Sequence, residues 1–159
     1  DDFIGNTEQS IVPNTDMTQW NHVVITYNSV GPEFKIYLNS NLCALANPSG
    51  VPAGAVMSNT STNVRIGYDD IQGNGDPAYY DQIAVFKNTI LTQANVTSIY
   101  NSGCPISNNI NSLNPDTLFE FDDATESGGT WTIPDTGANE NGNYALNSTD
   151  AEISTVTPC

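Results

Sequence analysis

Trp20-Asn21-His22-Val23-Val24-Ile25-Thr26-Tyr27 and, after a break, Phe34-Lys35-Ile36-Tyr37-Leu38-Asn39 are the stretch on which the fold of this chain turns. In the first segment Val24 lies on one face of an extended backbone, and Val23, Ile25 and Tyr27 lie on the other. Apolar residues on both faces predict a strand over 22–28 held centrally between packed layers. In the second segment Phe34, Ile36 and Leu38 alternate with Lys35, Tyr37 and Asn39, the pattern of a half-buried strand. Ser29-Val30-Gly31-Pro32 between them carries turn residues, so the pair reads as a hairpin.

Working outward, residues 42–46 return as a further strand, and Pro48-Ser49-Gly50-Val51-Pro52 is a loop. Val64, Ile66 and Tyr68 alternate with Arg65 and Gly67, and residues 79–86 form the next strand. One short helix is predicted near residues 92–101. Thr92 is its N-cap, Val96, Ile99 and Tyr100 recur at helical spacing, and Gly103 stands at the glycine position after the last turn. Its length suits an element closing one end of a sandwich. Downstream, strands are expected at 117–122, 130–133, 144–146 and 153–156, with Gly128-Gly129 and Asn141-Gly142-Asn143 as turn signals. Short strands at roughly ten-residue intervals imply a sandwich or barrel. The expected fold class is all-β, an antiparallel jelly-roll β-sandwich in which Val23, Ile36, Ile66 and Val85 share an interior.

Composition narrows the function classes. The 159 residues are enough for one domain with a real core. Lys and Arg number 3 against 18 Asp and Glu, a formal net charge of -15. So few cations cannot build a nucleic-acid footprint or an attraction to anionic lipid. No run of about eighteen apolar residues would span a bilayer. The opening Asp1-Asp2-Phe3-Ile4 has no basic region followed by an apolar one, so no signal peptide is read there, although a mature or internally cleaved start would look the same. Abundant carboxylates do offer ligands to divalent cations. Of the three cysteines, Cys104 and Cys159 bracket the C-terminal segment, and two readings stand: a bridge between them, or three free thiols with Cys43 as an apolar filler.

The order and spacing of the segments from Trp20 to Gly103, about half the chain, resemble the second half of a laminin-G-like domain of the concanavalin A-like superfamily. Leu118-Phe119-Glu120-Phe121-Asp122-Asp123, Ile133-Pro134-Asp135-Thr136-Gly137, Asn141-Gly142-Asn143 and the junction Tyr100-Asn101-Ser102-Gly103-Cys104-Pro105 add a second echo. Together these are similar to laminin-G-like proteins of marine bacteriophages and bacteria. The resemblance implies a polar lead-in at 1–19, a sandwich half at 20–104, and an Asn/Ser-rich tail at 105–159 that completes or extends the sandwich. It also implies a non-catalytic module displayed on a virion or cell exterior, as capsid decoration, fibre or adhesin, with glycans or neighbouring coat or fibre chains as partners. In such domains several strands precede the Trp-x-His segment, whereas here about nineteen polar residues do. A longer parent chain, the tail strands, or a neighbouring chain would supply what is missing.

Candidate site residues follow from chemistry. The loop from Asp70 to Asp81 has oxygen donors at positions one, three, five and twelve and Gly75 at six, as a calcium loop requires. Asp70, Asn74, Asp76 and Asp81 are the candidate Ca2+ ligands. Against this, position three is Gln72, position twelve is Asp81 where a bidentate Glu is usual, and strands flank the loop; a solvated turn is the competing reading. Family pattern keeps the residue matching Asp81 for loop geometry. Tyr68, Tyr79 and Tyr80 flank the loop and would stack on a sugar ring, with Trp131 as a second platform; ordinary half-buried sheet aromatics are the alternative.

Catalysis finds little support. Glu120 and Asp122, two apart on an expected strand, face one way, but the next carboxylate, Glu126, is too far along for the paired carboxyl groups of a glycoside hydrolase. His22 is the sole histidine, which leaves zinc catalysis and a Ser-His-Asp triad without their parts. Three glycosylation sequons begin at Asn59, Asn95 and Asn147, a number expected by chance in a chain so rich in Asn, Ser and Thr.

Overall fold

Residues 16, 18–28, 30, 33–43, 68–69, 74–75, 79–104, 107–138 and 144–146 are described by the structure, a computed structural model. It is mostly strands in small antiparallel sheets, with few helices. Strand β1 (Val23–Asn28) pairs with β2 (Glu33–Leu38), which pairs with β3 (Asn41–Leu42). Asn39 and Ser40 link β2 to β3 with φ of 48° and 64°, the two positive values that a tight two-residue hairpin turn demands. Strands β4 (Tyr68–Asp69) and β5 (Asn74–Gly75) form a small hairpin. Strand β6 (Ile83–Val85) pairs with β7 (Thr117–Phe119), while β8 (Thr125–Ser127), β9 (Thr130–Ile133) and β10 (Tyr144–Leu146) make the last sheet, in the order β10-β9-β8.

Helix α1 (Gln93–Tyr100) starts as its sequence requires. Thr92 accepts the Asn95 N–H through its side chain, and the Asn95 carboxamide accepts the Thr92 N–H in return, a reciprocal cap that satisfies two otherwise orphaned donors. That role ties down the Asn95 side chain at one of the three sequons. The helix ends differently from expectation: Asn101, at φ 43°, supplies the left-handed C-cap, and Gly103 closes the 3-10 turn that follows. A second short helix, α2 (Ser107–Asn111), was not foreseen. The Asn109 side chain donates to the Ser98 carbonyl, 2.7 Å away, and so fastens α2 to α1.

The core gathers around these helices. Tyr37, Leu91, Val96, Ile99, Ile110 and Leu118 are buried together, with Val24, Ala84, Phe86 and Leu113 packed against them. Leu118 and Val96 are fully enclosed; burying such side chains stabilises by about 1.5–3 kcal/mol each. The shared interior expected for Val23, Ile36, Ile66 and Val85 does not form. Val23 is 49% and Val85 45% exposed, Ile36 is half-buried, and Ile66 lies outside the described residues. Strand β1 is therefore covered on its Val24 face and open on its Val23 and Ile25 face. The strand expected over 117–122 stops at Phe119, because Phe121 takes φ 66° and turns the chain. Glu120 and Asp122 therefore do not share a strand face. The strand expected over 153–156 lies outside the described residues.

Candidate functional site: a groove between two strand edges

A groove of about 410 Å³ runs between β1 and β6, within the range of small-ligand sites. Every residue from Trp20 to Tyr27 lines one wall, and Asp81, Gln82, Ala84, Val85 and Phe86 line the other; Ile99, Tyr100 and Ile110 form the floor. A strand that showed a groove one of its faces would contribute only alternate residues. Consecutive lining means that β1 presents its edge.

The hydrogen-bond pattern gives the same answer. Asn39 N–H donates to the His22 carbonyl at 2.8 Å, so His22 and Asn39 are a bonded pair in the β1–β2 ladder. Alternation along an antiparallel ladder then turns the N–H and C=O of Val23 and Ile25 away from β2. Behind the opposite wall, Leu118 of β7 donates its N–H to Asp135 Oδ1 at 2.9 Å and accepts the Thr136 N–H at 2.9 Å. Its backbone groups therefore point away from β6. Ala84, opposite Leu118 in register, correspondingly turns its own N–H and C=O away from β7 and toward the groove.

Aromatic rings gather about the groove at Trp20. The rings of Trp20 and Tyr79 lie 6.4 Å apart at 47°, a tilted pair, and Tyr79 and Tyr80 are 67% and 42% exposed. The His22 ring stacks on Tyr100 at 5.9 Å. Its strand entry is held by Asn39, whose side-chain oxygen accepts the His22 N–H and whose amide donates to Asn21 Oδ1. The buried Nδ1 of His22 has no hydrogen-bond partner among the described residues. Burial holds this imidazole below its ordinary pKa of 6.5.

Asp81 also lines the groove. Burial raises its carboxyl above the ordinary value of 3.8; a hydrogen bond from the Gln82 backbone opposes this, and the charges of Asp122 and Glu120 add to the rise. Glu120 itself accepts a hydrogen bond from the Thr136 hydroxyl at 3.1 Å.

Of the proposed sugar platform, Tyr79 and Tyr80 are solvent-open, whereas Tyr68 is described through its backbone pairing with Gly75. Of the proposed calcium ligands, Asp70 and Asp76 lie outside the described residues, and Asn74 pairs through its backbone with Asp69. Gly75, at position six of the proposed loop, pairs through its backbone with Tyr68. Among the described residues no three His, Cys, Asp or Glu side chains gather as metal ligands. Trp131 sits half-buried in β9 opposite Glu126. Cys43 is a buried free thiol and Cys104 is disulfide-bonded, which removes the reading with three free thiols; Cys159 lies outside the described residues.

The groove itself was missed from sequence. Apolar residues on both faces of β1 predict burial between layers and carry no sign of an open edge. Among the described residues no helix is long and apolar enough to cross a membrane. No protein-family model, curated protein or solved structure matches the chain.

Proposed function

We propose that this chain is a non-catalytic binding and assembly module of the laminin-G-like, concanavalin A-like kind. In this reading it is a jelly-roll sandwich displayed on a virion or cell exterior as part of a larger assembly, and it adheres to glycans. The observation that carries the reading is the open aromatic mouth, where solvent-open Tyr79 meets the ring of groove-lining Trp20, with exposed Tyr80 next in sequence and Asn21 also lining the groove. Sugar rings present an apolar face that stacks on such rings, while carboxamides hydrogen-bond the hydroxyls at its rim. The strongly acidic surface favours solubility and display over contact with nucleic acid or anionic lipid.

A glycan array tests the adhesion directly. Binding by the 159-residue chain that is lost in Tyr79→Ala and retained in Val30→Ala supports it. No binding to any glycan leaves the purely structural role, decoration of a coat or fibre, as the better reading. Calcium belongs to the same proposal: addition of the ion raises the melting temperature, and Asp76→Ala or Asp81→Ala abolishes the rise. An unchanged melting temperature in the parent protein removes calcium. Hydrolysis of a glycan that is lost in Glu120→Gln and Asp122→Asn would instead revive a glycoside hydrolase.

A further inference from the structure

An antiparallel strand whose outer edge has no neighbour offers a row of donors and acceptors to any extended backbone that can reach it. Here two such edges face one groove. Among the described residues β1 pairs only with β2, and β6 only with β7. The far side of β7 is taken by Asp135 and Thr136, so the free edge of that pair belongs to β6. Val23 and Ile25 from one wall and Ala84 from the other turn backbone N–H and C=O groups inward, where those groups have no hydrogen-bond partner among the described residues.

The side chains around those edges are apolar and uncovered. Val23 is 49%, Ile25 60%, Val85 45% and Ile90 47% exposed, and all four line the groove. Isolated exposed apolar residues are ordinary, but four along one groove with unpaired edges are the arrangement of a sheet lacking a strand. Charge selects the occupant further. The chain carries a net -15, and Asp81 stands in the groove wall beside Glu120 and Asp122.

We propose that the groove between β1 and β6 receives an extended segment of a partner protein, with apolar residues alternating with basic ones, as an added β-strand. Main-chain hydrogen bonds to Val23, Ile25 and Ala84 supply affinity that is indifferent to sequence. Alternate apolar side chains cover Val23, Ile25, Val85 and Ile90, and Lys or Arg meets Asp81. The inference deepens the assembly half of the proposed function and stands apart from sugar binding.

The test uses the 159-residue chain and a short synthetic peptide in which valine or isoleucine alternates with lysine or threonine. Saturable binding is expected, with a rise in melting temperature. Methylating the alternate peptide nitrogens that would face an edge weakens binding about tenfold or more, since one or two hydrogen bonds are lost. Ile25→Pro removes one inward N–H while leaving the β2 ladder intact, and weakens binding by a similar factor. Should that variant fail to fold, Ile25→Lys, at an exposed position, places a charge on the open face and weakens the same peptide. Replacing the peptide lysines by glutamates weakens binding further, through repulsion that added salt relieves.

Absence of binding, or binding untouched by N-methylation, overturns the proposal. Dimerisation of the free protein that Ile25→Pro abolishes overturns it in favour of a second copy. Hydrogen-exchange protection of the Ile25 amide in the free monomer overturns it in favour of a segment of the chain itself. A protein blind to glycans that holds the peptide loses the sugar platform and keeps this inference; the reverse result removes this inference alone.

Discussion

Strands β1 and β7 are both short, apolar and antiparallel to one neighbour, yet one is finished and the other is not. Leu118 of β7 is fully enclosed, and the backbone groups it turns away from β6 meet the Asp135 carboxylate and the Thr136 N–H. Ile25 of β1 is 60% exposed, and its outward backbone groups face an open groove. The difference lies in what a strand meets across its second edge and not in its own residues. A loop carrying one carboxylate completes β7. Nothing among the described residues completes β1.

The contrast can be broken first at Asp135. Its Oδ1 accepts from the N–H groups of both Leu118 and Gly137 at 2.9 Å within a buried site. Asp135→Ala leaves both unpaired, at about 1–3 kcal/mol each. Asp135→Asn keeps an acceptor oxygen and is expected to cost clearly less in denaturant melts; equal losses would show that the acceptor is not what matters. Next comes Leu118→Ala, expected to cost about 2–5 kcal/mol through lost burial and a residual cavity. Ile25→Thr, at the matching place on β1, is expected to stay within about 0.5 kcal/mol. Similar losses at the two sites would erase the distinction between the strands.

Gly137 closes the same edge of β7 through its backbone. A Cβ there would lie 2.6 Å from Thr117 Cα and 2.7 Å from the Asp116 carbonyl oxygen, and neither backbone atom can rotate aside. Gly137→Ala is expected to cost about 1–3 kcal/mol as the 135–138 segment is pushed off β7. A neutral substitution would mean that this segment is not packed closely against β7.

The smallest expected effect belongs to the β1 side and depends on pH. His22 has a lowered pKa in the folded chain, so the unfolded chain takes up the proton first. Its contribution is whole above pH 6.5 and is lost as the pH falls through 6.5 toward the folded value. Asp81 runs the other way. Its raised pKa makes its contribution whole below pH 3.8, and that contribution is lost as the pH rises through the folded value. His22→Phe keeps a ring against Tyr100 and flattens the stability profile just below pH 6.5. An unaltered profile would mean that the imidazole is as well solvated folded as unfolded.

Much of the local structure was legible in the residues. The β9 and β10 strands fall where alternation and the neighbouring turn residues put them, and Thr92 caps α1 as its position predicts. The misreadings share a cause. Phe121 and Asn101 adopt positive φ, which a bulky side chain such as that of Phe121 disfavours and Asn tolerates, so the ends of β7 and α1 moved. The aromatic mouth was half legible: Tyr79 and Tyr80 were singled out, but the Trp20 ring that meets Tyr79 lies far away in sequence. The edges of β1 and β6 were illegible, because a periodic pattern says which residues share a face and nothing about the edge.

Local chemistry along the chain sets the elements: period-two alternation makes strands, reciprocal capping starts a helix, and 3 cations against 18 carboxylates leave too few for a basic binding surface. Only the tertiary structure decided which apolar faces are covered and which edges are left open. Covering a face or closing an edge needs a partner from distant sequence, such as Asp135 for Leu118, seventeen residues away, and local propensity carries no record of that partner.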